Sequence, residues 1–216
     1  MKDSVDRIVG VQLASLTRDP LSYKGVIYQP KPIRVSPDLF RGFTCPERCG
    51  ACCIKVTLDY IPSEWARLRG PPSPKMTVRQ VTVNERPHSV YSDLQQDHQN
   101  YHCRNLSKET GRCGIYDRRP FACDFELIRF SVGDDVIHLT QRLYGRAWAK
   151  MRIDGERGTM CEMTPIDPAT TAEVLRKLLR LGEWADYFEV RTWIPEIISW
   201  AESPLKVHPL FLGARE

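Results

Sequence analysis

The sequence lacks the features that mark membrane-spanning, exported and common nucleotide-binding proteins. No stretch of about eighteen apolar residues runs without interruption, which excludes an ordinary transmembrane helix. The N-terminus has no positively charged start followed by a long apolar stretch and a small-residue cleavage site, so we expect no export signal. A glycine-rich phosphate loop, a GxSxG elbow and an HExxH pair are also missing, which weakens hydrolase and nucleotide-binding hypotheses.

Neither the charge nor the cysteine content is extreme. The 31 basic and 27 acidic residues leave a formal charge of +4, which is too mild to indicate a nucleic-acid partner. Eight cysteines in 216 residues are about 4%, below the density of a small disulfide scaffold. With 42% hydrophobic residues, a chain of this length buries a core without covalent help. We therefore expect a cytoplasmic protein with reduced cysteines and no membrane contact.

The residue pattern predicts an α+β fold of short elements, because 16 prolines and 13 glycines interrupt the chain often. Residues 4–17 carry apolar side chains near helical spacing, and a proline-marked, extended or irregular arm follows over 20–37. Alternating apolar and polar residues predict a strand in the region 54–60, and Met76, Val78, Val81 and Val83 suggest another strand region. A hairpin is predicted over 125–139, where two apolar runs flank a Gly-Asp turn.

Two helices are predicted from capping residues that precede an apolar pattern. Ser63 is the expected N-cap of a short helix after the first of these strands. Asp167 is the expected N-cap of a longer helix, with Pro168 in its first turn and an apolar face that ends at Gly182. The aromatic-rich turns that follow, restarted at Pro195, are expected to pack against the rest of the protein.

These elements divide the chain into three predicted segments. Residues 1–40 form an N-terminal helix and wrapping arm, and residues 41–163 form a small, irregular, cysteine-rich metal-binding core with short strands. Residues 164–216 form a helical C-terminal segment that packs on this core. The helical segment is the surface through which we expect a protein partner to bind.

The most informative feature is a group of four cysteines within nine residues. The group consists of Cys45, Cys49, Cys52 and Cys53. Pro46, Gly50 and Ala51 leave the backbone between them able to curl, so that several sulfurs point inward. A zinc site takes four sulfur or nitrogen ligands, and a cubane iron-sulfur cluster takes four thiolates around a larger core. The group therefore predicts a metal site.

Either kind of site also needs ligands from elsewhere in the chain. The remaining cysteines supply them: Cys103, Cys113, Cys123 and Cys161. Eight thiols suffice for two four-ligand sites, but spacing leaves open how many sites form and which sulfurs share an ion. The neighbours Cys52 and Cys53 do not easily aim at one small ion. One of them therefore serves a second site, the surroundings of the first, or no metal.

Three weaker patterns compete with this interpretation. The first three cysteines match the CxxxCxxC spacing of radical S-adenosylmethionine enzymes, but alanine precedes the third cysteine where an aromatic is usual, and no regular βα alternation is present. His98 and His102 are alternative ligands, although exposed loop histidines are the simpler explanation. Arg142, Arg146 and Lys150 would form a basic stripe on a helix, for which a solvated face is the default explanation.

A second motif surrounds two of the distant cysteines. Residues 111–123 read GRCGIYDRRPFAC, so Cys113 and Cys123 flank an Ile-Tyr pair and an Arg-Pro pair. Together with the first group and Cys161, this motif resembles the YkgJ-type cysteine-cluster family, which is described as a zinc- or iron-chelating domain with eight characteristic cysteines. The resemblance covers about residues 41–163 and implies metal chelation by the matching cysteines.

The family is in turn similar to the cysteine-bearing part of the flagellin lysine N-methylases, and that similarity implies an iron-sulfur cluster. This chain departs from the family pattern in two places. Asp124 follows Cys123 where relatives often have a basic residue, and Arg104 follows Cys103 where a proline is usual. The departures concern any family-specific activity and leave the predicted ligation unchanged.

The expected function is that of a metal-binding cysteine-cluster protein acting as a binding or scaffold module. The alternative is an iron-sulfur redox or group-transfer enzyme or enzyme subunit, methylase-like by resemblance. A [4Fe-4S] cluster is favoured slightly over zinc, because the ligand set is thiol-only and the expected compartment is reducing. Arg119 is expected to act beside the metal ligands, since its donor fork suits a thiolate or a carboxylate, and a structural ion pair is the alternative.

Overall fold

The computed structural model describes residues 2–44, 50–53, 58–68, 76–93, 103–125, 128–132, 136–141, 161–203 and 211–212. Its α-helices are α1 (Lys2–Ala14), α2 (Pro62–Leu68), α3 (Phe121–Phe125), α4 (Pro168–Tyr187) and α5 (Ile194–Glu202). Its strands are β1 (Leu21–Tyr23), β2 (Val26–Tyr28), β3 (Ile33–Val35), β4 (Arg41–Thr44), β5 (Leu58–Tyr60), β6 (Thr77–Val83), β7 (Arg86–Asp93), β8 (Ile128–Val132), β9 (Ile137–Gln141), β10 (Glu162–Ile166) and β11 (Phe211–Leu212). The predicted α+β class is confirmed.

The strands form three small sheets. An antiparallel five-stranded sheet has the order β2-β1-β6-β7-β5, and a four-stranded sheet has the order β11-β3-β9-β8 with β3 parallel to β9. Strands β4 and β10 pair with each other. The β6–β7 hairpin turns through Asn84 and Glu85, which both have positive φ, as a two-residue turn between twisted strands favours.

Most of the predicted strands and helices are present. The N-terminal helix, the strand at 77–83 and the antiparallel pairing of β8 with β9 agree with the predictions. The predicted arm is extended and contributes β1, β2 and β3. Of the strand predicted over 54–60, the structure describes β5, and residues 54–57 lie outside the described ranges.

Two helix boundaries differ from the predictions. Helix α2 begins at Pro62, so Ser63 lies within its first turn, where its hydroxyl donates to Glu183 Oε1 at 3.1 Å and caps nothing. Asp167 does cap α4, because its Oδ1 accepts from the Thr170 amide at 3.0 Å. The helix does not end at Gly182 but continues to Tyr187, since the face that includes Leu181 and Ala185 stays buried and outweighs the low helix propensity of glycine.

One buried core joins all three predicted segments. It includes Leu13 from α1, Ile61 beside α2, Leu178 from α4 and Ile197 from α5. The indole of Trp193, 1% exposed, donates to the backbone oxygen of Ser15, which ties the start of α5 to the end of α1. Among the described helices, none is long and apolar enough to cross a membrane. The division at residues 40 and 163 stays a prediction.

Candidate metal centre

A cavity of about 580 Å³ lies between the cysteine-bearing segments and helix α4. Five cysteines line it: Cys52, Cys53, Cys103, Cys113 and Cys123. They come from three separate parts of the chain, namely the 3₁₀ turn at Ala51–Cys53, the segment that begins at residue 103, and α3. The fold therefore brings together most of the distant thiols that the sequence predicted as ligands.

Backbone hydrogen bonds tie these cysteine segments to one another. The Cys103 amide donates to the Cys53 oxygen at 2.8 Å, and Cys113 forms an isolated bridge with Leu106. Gly50, at a φ of +59°, turns the chain into the 3₁₀ helix, whose Cys53 amide donates back to the Gly50 oxygen at 2.9 Å. Positive φ is costly for other residues, so glycine fits this position in the cysteine group.

The cysteines of this group differ in exposure, since Cys53 and Cys103 are half-buried and Cys52 is exposed. A hydrogen bond with the Cys52 thiol, followed by burial and the thiols of Cys103 and Cys113, raises the pKa of Cys53. Burial raises the pKa of Cys103, although the Asn105 amide donates to its sulfur at 3.4 Å and favours the thiolate. The thiols of Cys53 and Cys103 therefore hold their protons in the absence of metal, and a metal ion would have to displace these protons to bind.

The donor chemistry of this wall suits zinc or iron, which both take cysteine thiolates. Within the described ranges, however, no three Cys, His, Asp or Glu side chains lie close enough to hold an ion. Cys45 and Cys49, the other half of the first group, lie outside those ranges. The six cysteines that the structure describes are thiols and not half-cystines, as a metal-binding set requires.

Cys161 takes a different position from the other five. It directly precedes β10, in which Glu162 pairs with Thr44 of β4, and it does not belong to the cavity lining. Thr44 in turn directly precedes Cys45 in the sequence. The pairing of β4 with β10 thus brings the backbone of Cys161 close to that of Thr44.

Arg119 is buried, with 7% of its surface exposed, and lines the cavity. Its Nε donates to Asp124 Oδ1, and its Nη2 donates to Glu173 Oε1 at 2.9 Å. The guanidinium carbon lies 3.9 Å from the centre of the Tyr116 ring, and the Tyr116 hydroxyl donates to the same Glu173 oxygen at 3.0 Å. Of the two uses predicted for Arg119, the structure shows the carboxylate clamp, and an effect on the metal stays a prediction.

The same charges anchor the short helix that carries Cys123. Asp124 is fully buried, and Arg180 of α4 donates both to its Oδ2 and to the Arg119 oxygen. Arg180 also donates to Glu64 Oε1 at 2.6 Å, and that oxygen accepts the Phe121 amide at the start of α3. Side chains of α2 and α4 thereby fix α3, and with it Cys123, against the cavity.

Sequence reasoning missed Glu64, Glu173 and Lys177. One signal was available for Lys177, because it lies on the apolar face of α4 between Val174 and Leu178, where a lysine is out of place. The predicted alternatives His98, His102, Arg142, Arg146 and Lys150 all lie outside the described residues.

Residues 44–142 match the family model CxxCxxCC, described as "Putative zinc- or iron-chelating domain". The match confirms the resemblance predicted from the cysteine spacing, and it includes seven of the eight cysteines, with Cys161 beyond its end. No curated protein and no solved structure matches the chain.

Proposed function

We propose that this chain is a cytoplasmic metal-binding protein whose bound iron or zinc organises the cysteine segments into a scaffold for partner binding. The convergence of Cys53, Cys103, Cys113 and Cys123 on one cavity carries the proposal. Drawing together segments so far apart in the chain costs loop-closure entropy, which a shared metal offsets. The family match supports chelation independently of the cavity.

Of the two metals, a [4Fe-4S] cluster is our first choice and zinc the second. The described histidines, His88 and His138, belong to strands β7 and β9 and are not among the residues that line the cavity. A thiol-only set suits an iron-sulfur cluster, although four cysteines also suffice for zinc.

The first experiment is anaerobic purification followed by analysis of iron, zinc and acid-labile sulfide, with an absorption spectrum. We expect iron and sulfide in comparable amounts and visible absorption from the cluster. A colourless protein with stoichiometric zinc and no sulfide would replace the cluster by zinc. A folded protein with no bound metal would overturn the proposed function.

The second experiment tests the ligands individually. Cys103→Ser, Cys123→Ser and Cys161→Ser are each expected to lower the metal content, because serine is a far poorer ligand for zinc or iron at neutral pH. Lys108→Ala, in the exposed turn between Cys103 and Cys113, is the control and should bind metal normally. Full metal content in all three cysteine variants would show that other residues hold the metal.

The partner surface of the scaffold is proposed on the outer face of α4 and α5. Leu179 is 61% exposed there and borders a groove whose rim carries Glu183, Asp186 and Glu202. An exposed apolar side chain with an acidic rim suits a partner segment with apolar and basic residues. Leu179→Asp should abolish such binding in a pull-down with a candidate partner while leaving the metal content unchanged.

The volume of the cavity favours a second candidate function, that of a redox or group-transfer enzyme. About 580 Å³ is within the range of small-molecule sites and leaves room beyond a metal centre. A bound iron-sulfur cluster with an accessible iron would supply electron transfer or Lewis-acid chemistry. Cys103→Ser distinguishes the candidates: an unchanged melting temperature with loss of the cluster favours the enzyme, and loss of the fold favours the scaffold.

A further inference from the structure

Part of the cavity wall is built from helix α4 and is rich in polar groups. It includes Thr170, Glu173 and Lys177 on one face of the helix, with Gln141 at the end of β9. The apolar Val174 lies among them. A concave space with apolar walls and a few convergent polar groups is the usual form of a small-molecule site.

Lys177 is the most unusual of these groups. It is 6% exposed, although lysine is almost never buried unless it is paired. Its ammonium lies 3.3 Å from Glu173 Oε1, which is its one carboxylate within ion-pair distance in the described part of the chain. An ammonium has three N–H donors, so this single contact leaves donor capacity in a site where water is scarce.

The shared carboxylate cannot satisfy Lys177 fully. Glu173 Oε1 also accepts from the Tyr116 hydroxyl at 3.0 Å and from Arg119 at 2.9 Å. Burial lowers the pKa of Lys177, and the Arg119 charge lowers it further, while Glu173 acts in the opposite direction. Arg119 contacts two carboxylates, those of Glu173 and Asp124, whereas Lys177 contacts only Glu173 among the described residues, so Lys177 has the N–H capacity to bind an anion as well.

Gln141, in the same lining, has an oxygen without a hydrogen-bond partner among the described residues. The side-chain amide oxygen of Gln141 is buried, and no hydrogen-bond donor among the described residues contacts it. A buried polar atom of this kind is costly unless something else in the site donates to it. A hydroxyl or amine on a bound molecule would meet that need, just as an oxyanion would meet the need of Lys177.

We propose that the cavity binds a small organic ligand that carries an oxyanion, a carboxylate or a phosphate, held by Lys177, and a hydroxyl or amine donor that reaches Gln141. The ligand would lie between α4 and the metal-bearing wall. This inference rests on the proposed metal-binding function, because the cysteines of that wall are assigned to the metal. It does not require the ligand to contact the metal.

The test uses isothermal titration of the metal-loaded full chain in an oxyanion-free buffer. Lactate provides a carboxylate with a hydroxyl, and glycerol 3-phosphate provides a phosphate with hydroxyls, so the two probes distinguish the two sources of the oxyanion. We expect saturable binding of at least one probe. Lys177→Met should weaken it at least about tenfold, as loss of a charge-assisted hydrogen bond predicts.

The controls separate a ligand site from a general charge effect and from failed folding. Arg191→Met removes a cation whose side chain is 85% exposed, and it should bind the probe like the wild type. Lys177→Gln keeps a polar side chain without the charge and should show the same loss, provided that metal content and melting temperature are normal. Gln141→Leu should weaken hydroxyl-bearing probes more than acetate.

The outcomes are distinct from those for the proposed function. Absence of probe binding to a protein of full metal content, or equal binding to Lys177→Met, would overturn the ligand site and leave metal binding intact. Absence of metal would overturn the proposed function. Binding of a probe to the metal-free chain that still depends on Lys177 would then support the ligand site alone.

Discussion

Replacing Asp124 by asparagine tests whether buried charges hold the helix that carries Cys123. The Asp124 carboxylate is 0% exposed and accepts from Arg119 and Arg180, whose side chains are only 8% and 17% exposed. Asparagine keeps the volume but removes the negative charge and places an NH₂ group near two guanidinium donors. Two buried cations then lose their shared partner, while Glu173 and Glu64 continue to contact one each.

The expected loss is about 3 kcal/mol, the lower end of the range for breaking a buried ion pair, because the two other carboxylates stay in place. For a chain of this size that loss lowers the melting temperature by roughly 6–12 °C. Urea unfolding followed by circular dichroism measures the free energy, with metal content determined on the same samples.

Asp59→Asn is the matched control, because it makes the same chemical change in an exposed pair. The side chains of Asp59 and Arg79 are 39% and 51% exposed, so their salt bridge is expected to contribute only about 0–1 kcal/mol. If Asp124→Asn destabilises the protein no more than Asp59→Asn does, the buried charges do not hold α3 and the reasoning is wrong.

Three further predictions concern pH and packing. Burial raises the pKa of Glu64 to about 7, although the Phe121 amide and Arg180 act in the opposite direction. The folded protein therefore keeps a proton that the unfolded chain loses near pH 4.5, and the free energy of unfolding should fall as the pH rises from about 4.5 to 7. Glu64→Gln should remove this decline in a series of urea unfolding measurements. Burial lowers the pKa of His88, so on acidification the unfolded chain takes up a proton before the folded protein does, and stability should fall below about pH 6.5. His88→Phe should reduce this loss of stability in thermal melts at pH 7 and 5. A variant with the same pH dependence as the wild type would contradict the prediction. A Cβ at position 42 would clash with Thr164 Oγ1, so Gly42→Ala should cost about 1–3 kcal/mol. A Cβ at position 182 would have its nearest neighbour 3.8 Å away, so Gly182→Ala should stabilise α4 by about 0.5–1 kcal/mol. Calorimetry that gave both variants the same sign would refute this contrast.

Local patterns accounted for much of the secondary structure. Asp167 caps α4 because a carboxylate before a helical run satisfies a free amide, and this rule acts within four residues. The strand at 77–83 follows from its valines and threonines, since β-branched residues favour strands without reference to the rest of the chain. Gly182 misled the prediction because burial of the α4 face, a tertiary effect, outweighs helix propensity.

The family match was predictable because the cysteine motifs are defined by chemistry and spacing, whereas the individual metal ligands stay a prediction. Few environments other than a metal site need four thiols in nine residues, and the Arg-Pro motif before Cys123 adds the specificity that the family match confirms. The sequence also contained both possible uses of Arg119, a thiolate or a carboxylate contact. The fold shows the carboxylate contact, by placing Asp124 and Glu173 within reach of the guanidinium.

The amino-acid sequence by itself determined the α+β class, the cysteine cluster and its chelating chemistry, because these depend on residue type and short-range spacing. The tertiary structure decided that helix α4, which lies outside the matched family segment, lines the cavity with the buried Lys177 and the half-buried Glu173. Burial and pairing of charges arise from contacts between residues more than fifty positions apart, such as Arg119 and Glu173, and no local pattern encodes them.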